Sequence, residues 1–234
     1  MIKFFRKIRQ KLLTENKFSK YLIYAFGEIV LVVIGILIAV SINNWKQSID
    51  LKEVEQNLYG DLIQEFQNDL GDVQGKLDYN SHYLLRYNRA SEIILNDPHR
   101  QQIDTLAIIA TELANFSDFN KEESAYNKLA TSGKLELITN KAILTRMQNL
   151  GVLYNYINRL ENNHQQIIFT IVPKITKYLR IKPFQIMMPE QLYDYNFHND
   201  IEIMIKIVLE KDGLYKQAES ELSGLINLLE EELD

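Results

Sequence analysis

Residues 21–42 read YLIYAFGEIVLVVIGILIAVSI, an apolar stretch of 22 residues that contains one carboxylate, Glu28. About 20 apolar residues are enough for an α-helix to cross the hydrocarbon core of a bilayer. We therefore predict a transmembrane helix over residues 21–43. The run is about twice as long as the apolar part of a usual signal peptide, so a retained anchor is favoured over a cleaved leader. Ala39-Val40-Ser41 resembles a cleavage site only loosely.

The residues before this segment are strongly basic. The first 20 residues contribute a net charge of +6, and because the whole chain carries −5, the remainder carries −11. An excess of Lys and Arg keeps its side of a span in the cytoplasm. We predict a cytoplasmic amphipathic segment over residues 1–20, which can also lie on anionic lipid. The basic cluster consists of Lys3, Arg6, Lys7, Arg9, Lys11, Lys17 and Lys20.

The residues after the segment have the periodicity of helices. Beyond Trp45, the expected interfacial anchor, apolar residues recur every three or four positions from Leu51 to Leu77. Such spacing is typical of an amphipathic helix. No helix breaker separates it from the span, so we predict one helix from about residue 21 to residue 95. The sequence Asn96-Asp97-Pro98 should end it.

Further apolar residues at helical spacing predict that residues 44–234 form a helical domain. Together with the span they predict an all-α protein, in which a transmembrane helix continues into a long helix of an antiparallel, coiled-coil-like bundle. Thr139 is the predicted N-cap of the longest later helix, and Pro173 should kink or divide that helix. The later helices are expected at about 101–116, 121–131, 140–179 and 200–233, the last of them with an interruption near Gly213, and residues 181–199 are expected to form a loop.

The sequence offers little that could support catalysis. It has 0 Cys, and this absence excludes disulfides, thiolate catalysis and zinc–cysteine sites. It has 4 His. Glu161 and His164 share a helical face, but one Glu and one His make an incomplete metal site, and a hydrogen-bonded core histidine is the favoured interpretation. Nucleophile elbows and phosphate-binding glycine motifs are absent. We predict no enzyme activity, no catalytic residues, no metal or other cofactor and no nucleic-acid partner.

The apolar segment contains a seam of small residues. Its members recur at steps of three and four, and bulkier residues such as Ile34 and Leu37 fall largely elsewhere, towards lipid. Small residues let transmembrane helices approach closely, and polar side chains bridge them. We predict that this seam mediates self-association, with a second membrane protein as an alternative partner. The seam consists of Ala25, Glu28, Val32, Gly35 and Ala39.

Glu28 has three interpretations, because a carboxylate that faces lipid is costly and must face protein or water. It can be protonated and hydrogen-bonded across a homo-oligomer. It can pair with a basic residue of a partner. It can relay protons or coordinate an ion. The first two are favoured, since assembly demands less of the residue than transport does.

The chain has 13 tyrosines, and three of them form a helical stripe. Tyr79, Tyr83 and Tyr87 stand at i, i+4 and i+8, so they line one face of the long helix. Packing in a core with the hydroxyls at its edge is the favoured role. Contact with a ligand or a partner is the alternative.

Two stretches of the chain resemble a known family. The first is FGEIVLVVIGILIAVSINNW (residues 26–45) with its leader FFRKIRQKLLTENKFSKY (residues 4–21), and the second is ESAYNKLATSGKLELI (residues 123–138). They resemble an uncharacterised family of small single-span membrane proteins from Bacteroidota, a domain of unknown function. The resemblance implies a Gram-negative inner membrane, with the N-terminus in the cytoplasm and residues 44–234 in the periplasm. It implies no activity and no catalytic residues.

Three functional hypotheses remain from the sequence. The first is a membrane-anchored periplasmic scaffold or interaction protein that self-associates through its span. The second is a periplasmic sensor or regulatory subunit that acts through a membrane partner, because the short cytoplasmic segment has no room for an output domain. The third is an ion- or proton-coupled subunit in which Glu28 titrates.

Overall fold

The computed structural model describes residues 18–119, 121 and 123–234. It divides into two compact units, Met1–Val54 and Glu55–Asp234. The prediction of an all-α protein is confirmed, since the described residues are mostly helical. The elements are α1 (Phe18–Asn96), α2 (Ile103–Glu112), α3 (Ala125–Thr131), a 3₁₀ turn (Leu135–Leu137), α4 (Lys141–Tyr178), β1 (Leu179–Arg180), β2 (Gln185–Ile186), α5 (Pro189–Leu192) and α6 (Tyr195–Leu233).

The unit Glu55–Asp234 is a helical bundle with two apolar cores. In the first, Phe66 of α1 joins Met147 of α4 and Leu222 of α6. In the second, the later residues of α1 and α4 meet the earlier residues of α6, for example Ile93 with Ile171 and Ile201. Helices α1 and α4 therefore run from the first core to the second, and α6 runs back. The segment with α2 and α3 also runs back, because α2 packs in the second core and α3 in the first.

Helix α1 ends where the sequence predicts. Its last residue is Asn96, and the Asp97 carboxylate accepts hydrogen bonds from the backbone N–H groups of Gln101 at 3.0 Å and Gln102 at 2.7 Å. The hydroxyl of Tyr193 donates to the same carboxylate at 2.8 Å. A polar residue that captures free N–H groups stabilises the start of the next helical turn. Asp97, which follows the last residue of α1, therefore also orders the turn that leads into α2.

Two predicted boundaries involve caps. Helix α3 ends at Thr131, and Gly133 adopts a left-handed φ of 70°, which is the glycine stop expected there. The prediction that Thr139 caps α4 is wrong by one residue, because Asn140 accepts from the N–H groups of Ala142 and Ile143. Thr139 instead donates its backbone N–H and its hydroxyl to Glu55.

Helices α4 and α6 are less interrupted than expected, and α6 also begins earlier. Pro173 lies inside α4 without dividing it. Its missing N–H would have bonded the carbonyl of Phe169, and both residues are exposed, so water can satisfy that carbonyl. Gly213 does not interrupt α6, which begins at Tyr195 because Asp194 caps it. By contrast, α2 and α3 are shorter than predicted.

Residues 181–199 are not simply a loop. β1 and β2 form an antiparallel hairpin in which Leu179 pairs with Ile186 and Arg180 with Gln185. Leu179 is buried and Ile186 packs against the second core. Two residues per strand are too few for an alternating pattern to be recognised in the sequence.

The described residues of the first unit, 18–54, are helical throughout. Their large apolar side chains from Leu22 to Val54 are exposed, as is Trp45. The basic cluster falls on residues 3–20, outside the residues whose side chains are described.

Candidate functional site

Two candidate sites stand out, the apolar segment of α1 and a polar layer inside the bundle. By length and composition, one helix in the described part of the chain is apolar enough to cross a membrane. On it, Ala25 and Glu28 are half-buried, and the remaining seam residues Val32, Gly35 and Ala39 are exposed. Ile34 and Leu37, outside the seam, are exposed as well. The seam therefore stays a prediction about contacts that other chains or lipid would make.

The tyrosine stripe lies in the bundle unit and contacts α2. Tyr87 is buried, and its hydroxyl donates to the carbonyl of Glu112 at 3.1 Å. Tyr79 and Tyr83 are half-buried, and neighbouring rings lie 4.7 Å and 5.9 Å apart. Asn115 donates to the Tyr83 hydroxyl at 3.3 Å. These contacts agree with packing at a core edge, and a ligand or partner role for the stripe stays a prediction.

The polar layer separates the two apolar cores. Glu161 and His164 enter it from α4, and Lys211 and Tyr215 enter it from α6. Glu161 is 3 % exposed, and His164 and Lys211 are 1 % exposed each. Buried polar groups of this kind are costly unless they are hydrogen-bonded, so their partners decide what the layer contributes.

Glu161 is the principal acceptor of the layer. The Tyr215 hydroxyl donates a short hydrogen bond to it, and the backbone N–H of Phe119 donates to the same oxygen at 2.8 Å. The Ser117 hydroxyl donates to Asn80 at 2.7 Å. The layer thus joins α1, α4 and α6 to the segment between α2 and α3.

Lys211 and His164 form the second part of the layer. The Lys211 amine donates to the carbonyl of Ser117 at 2.5 Å and lies 3.4 Å from Nδ1 of His164. Nε2 of His164 finds no hydrogen-bond partner among the described residues. Since an ammonium group only donates, the neutral imidazole accepts through Nδ1 and carries its proton on Nε2.

Burial sets the protonation states of the layer. Burial and the nearby charge of Lys211 lower the pKa of His164 to about 3. Burial lowers the pKa of Lys211 to about 8, although the Glu161 and Asp118 carboxylates oppose this change. Burial and the Glu161 carboxylate raise the pKa of Tyr215 well above its ordinary value. At neutral pH the histidine is therefore neutral, the lysine is mostly charged and the tyrosine keeps its proton.

A cleft of about 190 Å³ adjoins the layer. Asn158 and Glu161 lie in its wall, together with Asp118 and Asn162. Oδ1 of Asn158 has no hydrogen-bond partner among the described residues, while its Nδ2 donates to the carbonyl of Lys121 at 2.8 Å. In the part of the chain that the structure describes, no group of three or more His, Asp and Glu side chains could hold a metal ion.

A second ionic cluster lies at the edge of the first core. The Lys121 amine lies 2.6 Å from Asp69 and 3.3 Å from Glu65, and the Tyr154 hydroxyl donates to Asp69 at 2.8 Å. Lys128 also pairs with Glu65, at 2.8 Å. This cluster ties the segment around α3 to α1 and α4.

Sequence reasoning found two members of the polar layer and missed the rest. The spacing of Glu161 and His164 places them on one helical face, and both are buried there. Lys211 and Tyr215 belong to no motif in the sequence. Both residues lie at helical spacing between Val208 and Leu222, on the apolar stripe of α6. The spacing of the stripe is therefore enough to place them on the buried face of the helix.

The comparisons with known proteins agree with a helical protein of unknown role. No curated protein and no solved structure matches the chain. One family model matches residues 28–208, which is most of the chain and includes the apolar segment from Glu28 onward, the long helix and the polar layer. The chain therefore belongs to the family of unknown function DUF6090.

Proposed function

We propose that this protein is a non-enzymatic, membrane-anchored interaction protein whose apolar segment crosses the inner membrane and self-associates through the seam. The basic N-terminus would then lie in the cytoplasm and the bundle in the periplasm, as the resemblance to single-span Bacteroidota proteins implies. The bundle would present a stable helical surface to partners.

One observation carries the proposal. The large apolar side chains between Leu22 and Ile42 are exposed, and soluble proteins rarely leave so long an apolar surface in water. Helix α1 continues through this stretch to Asn96. A lipid environment accounts for the exposed surface, and the small residues of the seam allow a second helix to pack against it.

The test is cysteine cross-linking of the full chain in membranes. The chain has 0 Cys, so a single introduced cysteine reports one position. We expect Val32→Cys and Ala39→Cys to form disulfide-linked dimers on mild oxidation. Ile34→Cys and Leu37→Cys are the matched controls on the other face and should stay monomeric. Equal cross-linking on both faces, or none on either, would contradict the seam.

Substitution at Gly35 tests the close approach. Gly35→Leu adds bulk at the centre of the seam, so the Ala39→Cys cross-link should fall several-fold. Leu37→Phe adds bulk on the opposite face and should leave it unchanged. If both reduce the cross-link alike, the contact does not depend on the small residues.

Substitution at Glu28 tests whether this carboxyl group supports assembly. If Glu28 bridges the helices, Glu28→Gln keeps a hydrogen-bonding group and Glu28→Leu removes it. We expect Glu28→Leu to weaken the Ala39→Cys cross-link more than Glu28→Gln does. If both variants assemble like the parent chain, Glu28 does not support assembly.

A further inference from the structure

We propose that the β1–β2 hairpin carries a second lipid-binding site, which inserts its tip into the interface of a membrane rich in anionic phospholipid. The hairpin tip is defined as residues 180–185, and Lys177 and Met187 flank it. This inference concerns a surface of the bundle unit and does not depend on the seam of the apolar segment.

The hairpin tip combines exposed apolar and cationic side chains. Ile181 is 55 % exposed, and Phe184 and Met187 are 47 % exposed each. Arg180 and Lys182 lie beside them and are exposed, as is Lys177. Side chains that bury their apolar parts at the boundary between headgroups and acyl chains, with cations at the headgroup level, are typical of interfacial membrane binding.

The charge along the chain is one-sided in the stretch that contains the tip. The chain carries −11 after residue 20, but it has no Asp or Glu between residues 162 and 189. The four basic residues of that stretch are Lys174, Lys177, Arg180 and Lys182. Lys174 is neutralised by Asp200 at 2.7 Å. Within the described residues, the other three form no ion pair with a carboxylate, so their charge is available to an anionic surface.

The base of the hairpin is fixed by contacts that the tip does not share. Leu179 is buried in the second core. The carbonyl of Tyr178 accepts hydrogen bonds from the N–H groups of Met187 at 2.9 Å and Met188 at 3.1 Å. The tip is therefore presented by a folded support, and substitutions of its exposed side chains should leave the bundle intact.

A lipid surface fits the tip better than an acidic protein. The apolar and basic side chains follow one another along a short exposed turn, residues 181–184. A bilayer interface accepts such a turn without a shaped pocket, whereas a protein partner needs a complementary one. Each Lys or Arg near an anionic membrane also adds attraction that salt weakens.

The experiment uses the full chain in nanodiscs, with Gln185→Cys as the single cysteine and an environment-sensitive fluorophore on it. One arm compares discs of phosphatidylcholine with discs that also contain phosphatidylglycerol, and reports contact with the chain's own membrane. The other arm adds phosphatidylglycerol vesicles to phosphatidylcholine discs and measures co-flotation, which reports contact with a second membrane. A blue shift or co-flotation that requires phosphatidylglycerol and falls at high salt is expected.

Substitutions at the tip should remove this response. In a chain with Lys177→Gln, Arg180→Gln and Lys182→Gln, affinity for anionic lipid should fall roughly 100-fold, from the contribution of three cations. Ile181→Ser with Phe184→Ser should abolish the blue shift. Lys134→Gln, Lys141→Gln and Lys216→Gln form the matched control of exposed cations elsewhere, and Gln148→Cys is the control site for the fluorophore. Unchanged thermal unfolding confirms that the variants fold.

Three results of the lipid assays would overturn the proposal, and so would one result of photocross-linking. The first is a fluorescence or flotation response that is the same with and without phosphatidylglycerol in both arms. The second is an equal loss of lipid affinity in the control triple variant. The third is a fluorescence response at Gln148→Cys that matches the one at Gln185→Cys. A photocross-linker at Phe184 that captures a protein without any lipid response would show that the tip binds a protein.

Discussion

Lys211 is the residue at which the bundle departs furthest from an apolar interior. Its amine is fully buried and donates to the Ser117 carbonyl. Taking a charged amine out of water is costly, and its partners return only part of that cost. This uncompensated cost of burial lowers the pKa of Lys211 to about 8. A different pairing or register of these helices would separate Lys211 and Glu161 from their partners and leave buried polar groups unsatisfied.

His164 predicts a pH dependence of stability. Its pKa is about 3 in the folded chain and about 6.5 when exposed. Between these values the unfolded chain binds more protons, so stability is complete above about pH 6.5 and falls as the pH decreases. We expect a loss of about 2 kcal/mol between pH 7 and pH 5 from this group. Chemical unfolding of the full chain in a neutral detergent measures it.

The control for this prediction is a second histidine. His164→Gln should remove most of the loss between pH 7 and pH 5, since glutamine does not titrate there. His82 is exposed, so His82→Gln should leave the pH profile unchanged. If His164→Gln keeps the full loss on acidification, other groups cause it.

At the scale of elements, two glycines in long helices have opposite surroundings. A Cβ at Gly151 of α4 would lie 2.8 Å from Oγ of Ser124, while nothing lies within 4 Å of one at Gly213 of α6. Ser124 is the N-cap of α3, where its hydroxyl accepts from the N–H of Asn127 at 3.3 Å. The close approach of α4 to this cap therefore depends on Gly151.

These surroundings predict opposite effects of alanine. Gly213→Ala should raise the free energy of unfolding by about 0.5–1 kcal/mol, because alanine favours the helix. Gly151→Ala should lower it by up to about 1 kcal/mol, because the loss of the N-cap contact can cost up to about 2 kcal/mol, which exceeds the helical gain of about 1 kcal/mol or less. Denaturant titration of both variants measures the difference. Stabilisation by Gly151→Ala would show that Ser124 moves aside without cost.

At the scale of the whole molecule, the two units differ in the exposure of their apolar side chains. The bundle unit buries its apolar side chains in two cores, and the described residues of the first unit leave theirs exposed. A chain that buries the apolar side chains of one unit and exposes those of another is suited to a boundary between water and lipid.

The proposed topology predicts which parts of the chain an impermeant reagent reaches. A single cysteine at Gln148 should react with an impermeant maleimide added to intact spheroplasts, because the bundle would lie outside the inner membrane. Lys3→Cys should react only after the membrane is permeabilised, because Lys and Arg keep the N-terminus inside. The opposite pattern, or equal labelling of both sites, would contradict the topology.

The sequence by itself determined the helical class, the apolar segment and most helix ends. These depend on local physics, since apolar residues at steps of three and four favour a helix. The Asn96-Asp97-Pro98 stop and Gly133 end helices through their own backbone preferences. Each of these features can be recognised within a short window of residues.

The tertiary structure decided what no short window contains. The choice of Asn140 over Thr139 as the N-cap followed from Glu55, which holds Thr139 from far away in the chain. The hairpin formed because Leu179 and Ile186 reach the second core. Glu161 and His164 are neighbours in sequence, but Lys211 joins them only when α6 packs against α4. Local periodicity can place each residue on the buried face of its helix, whereas packing alone chooses the partners that meet there.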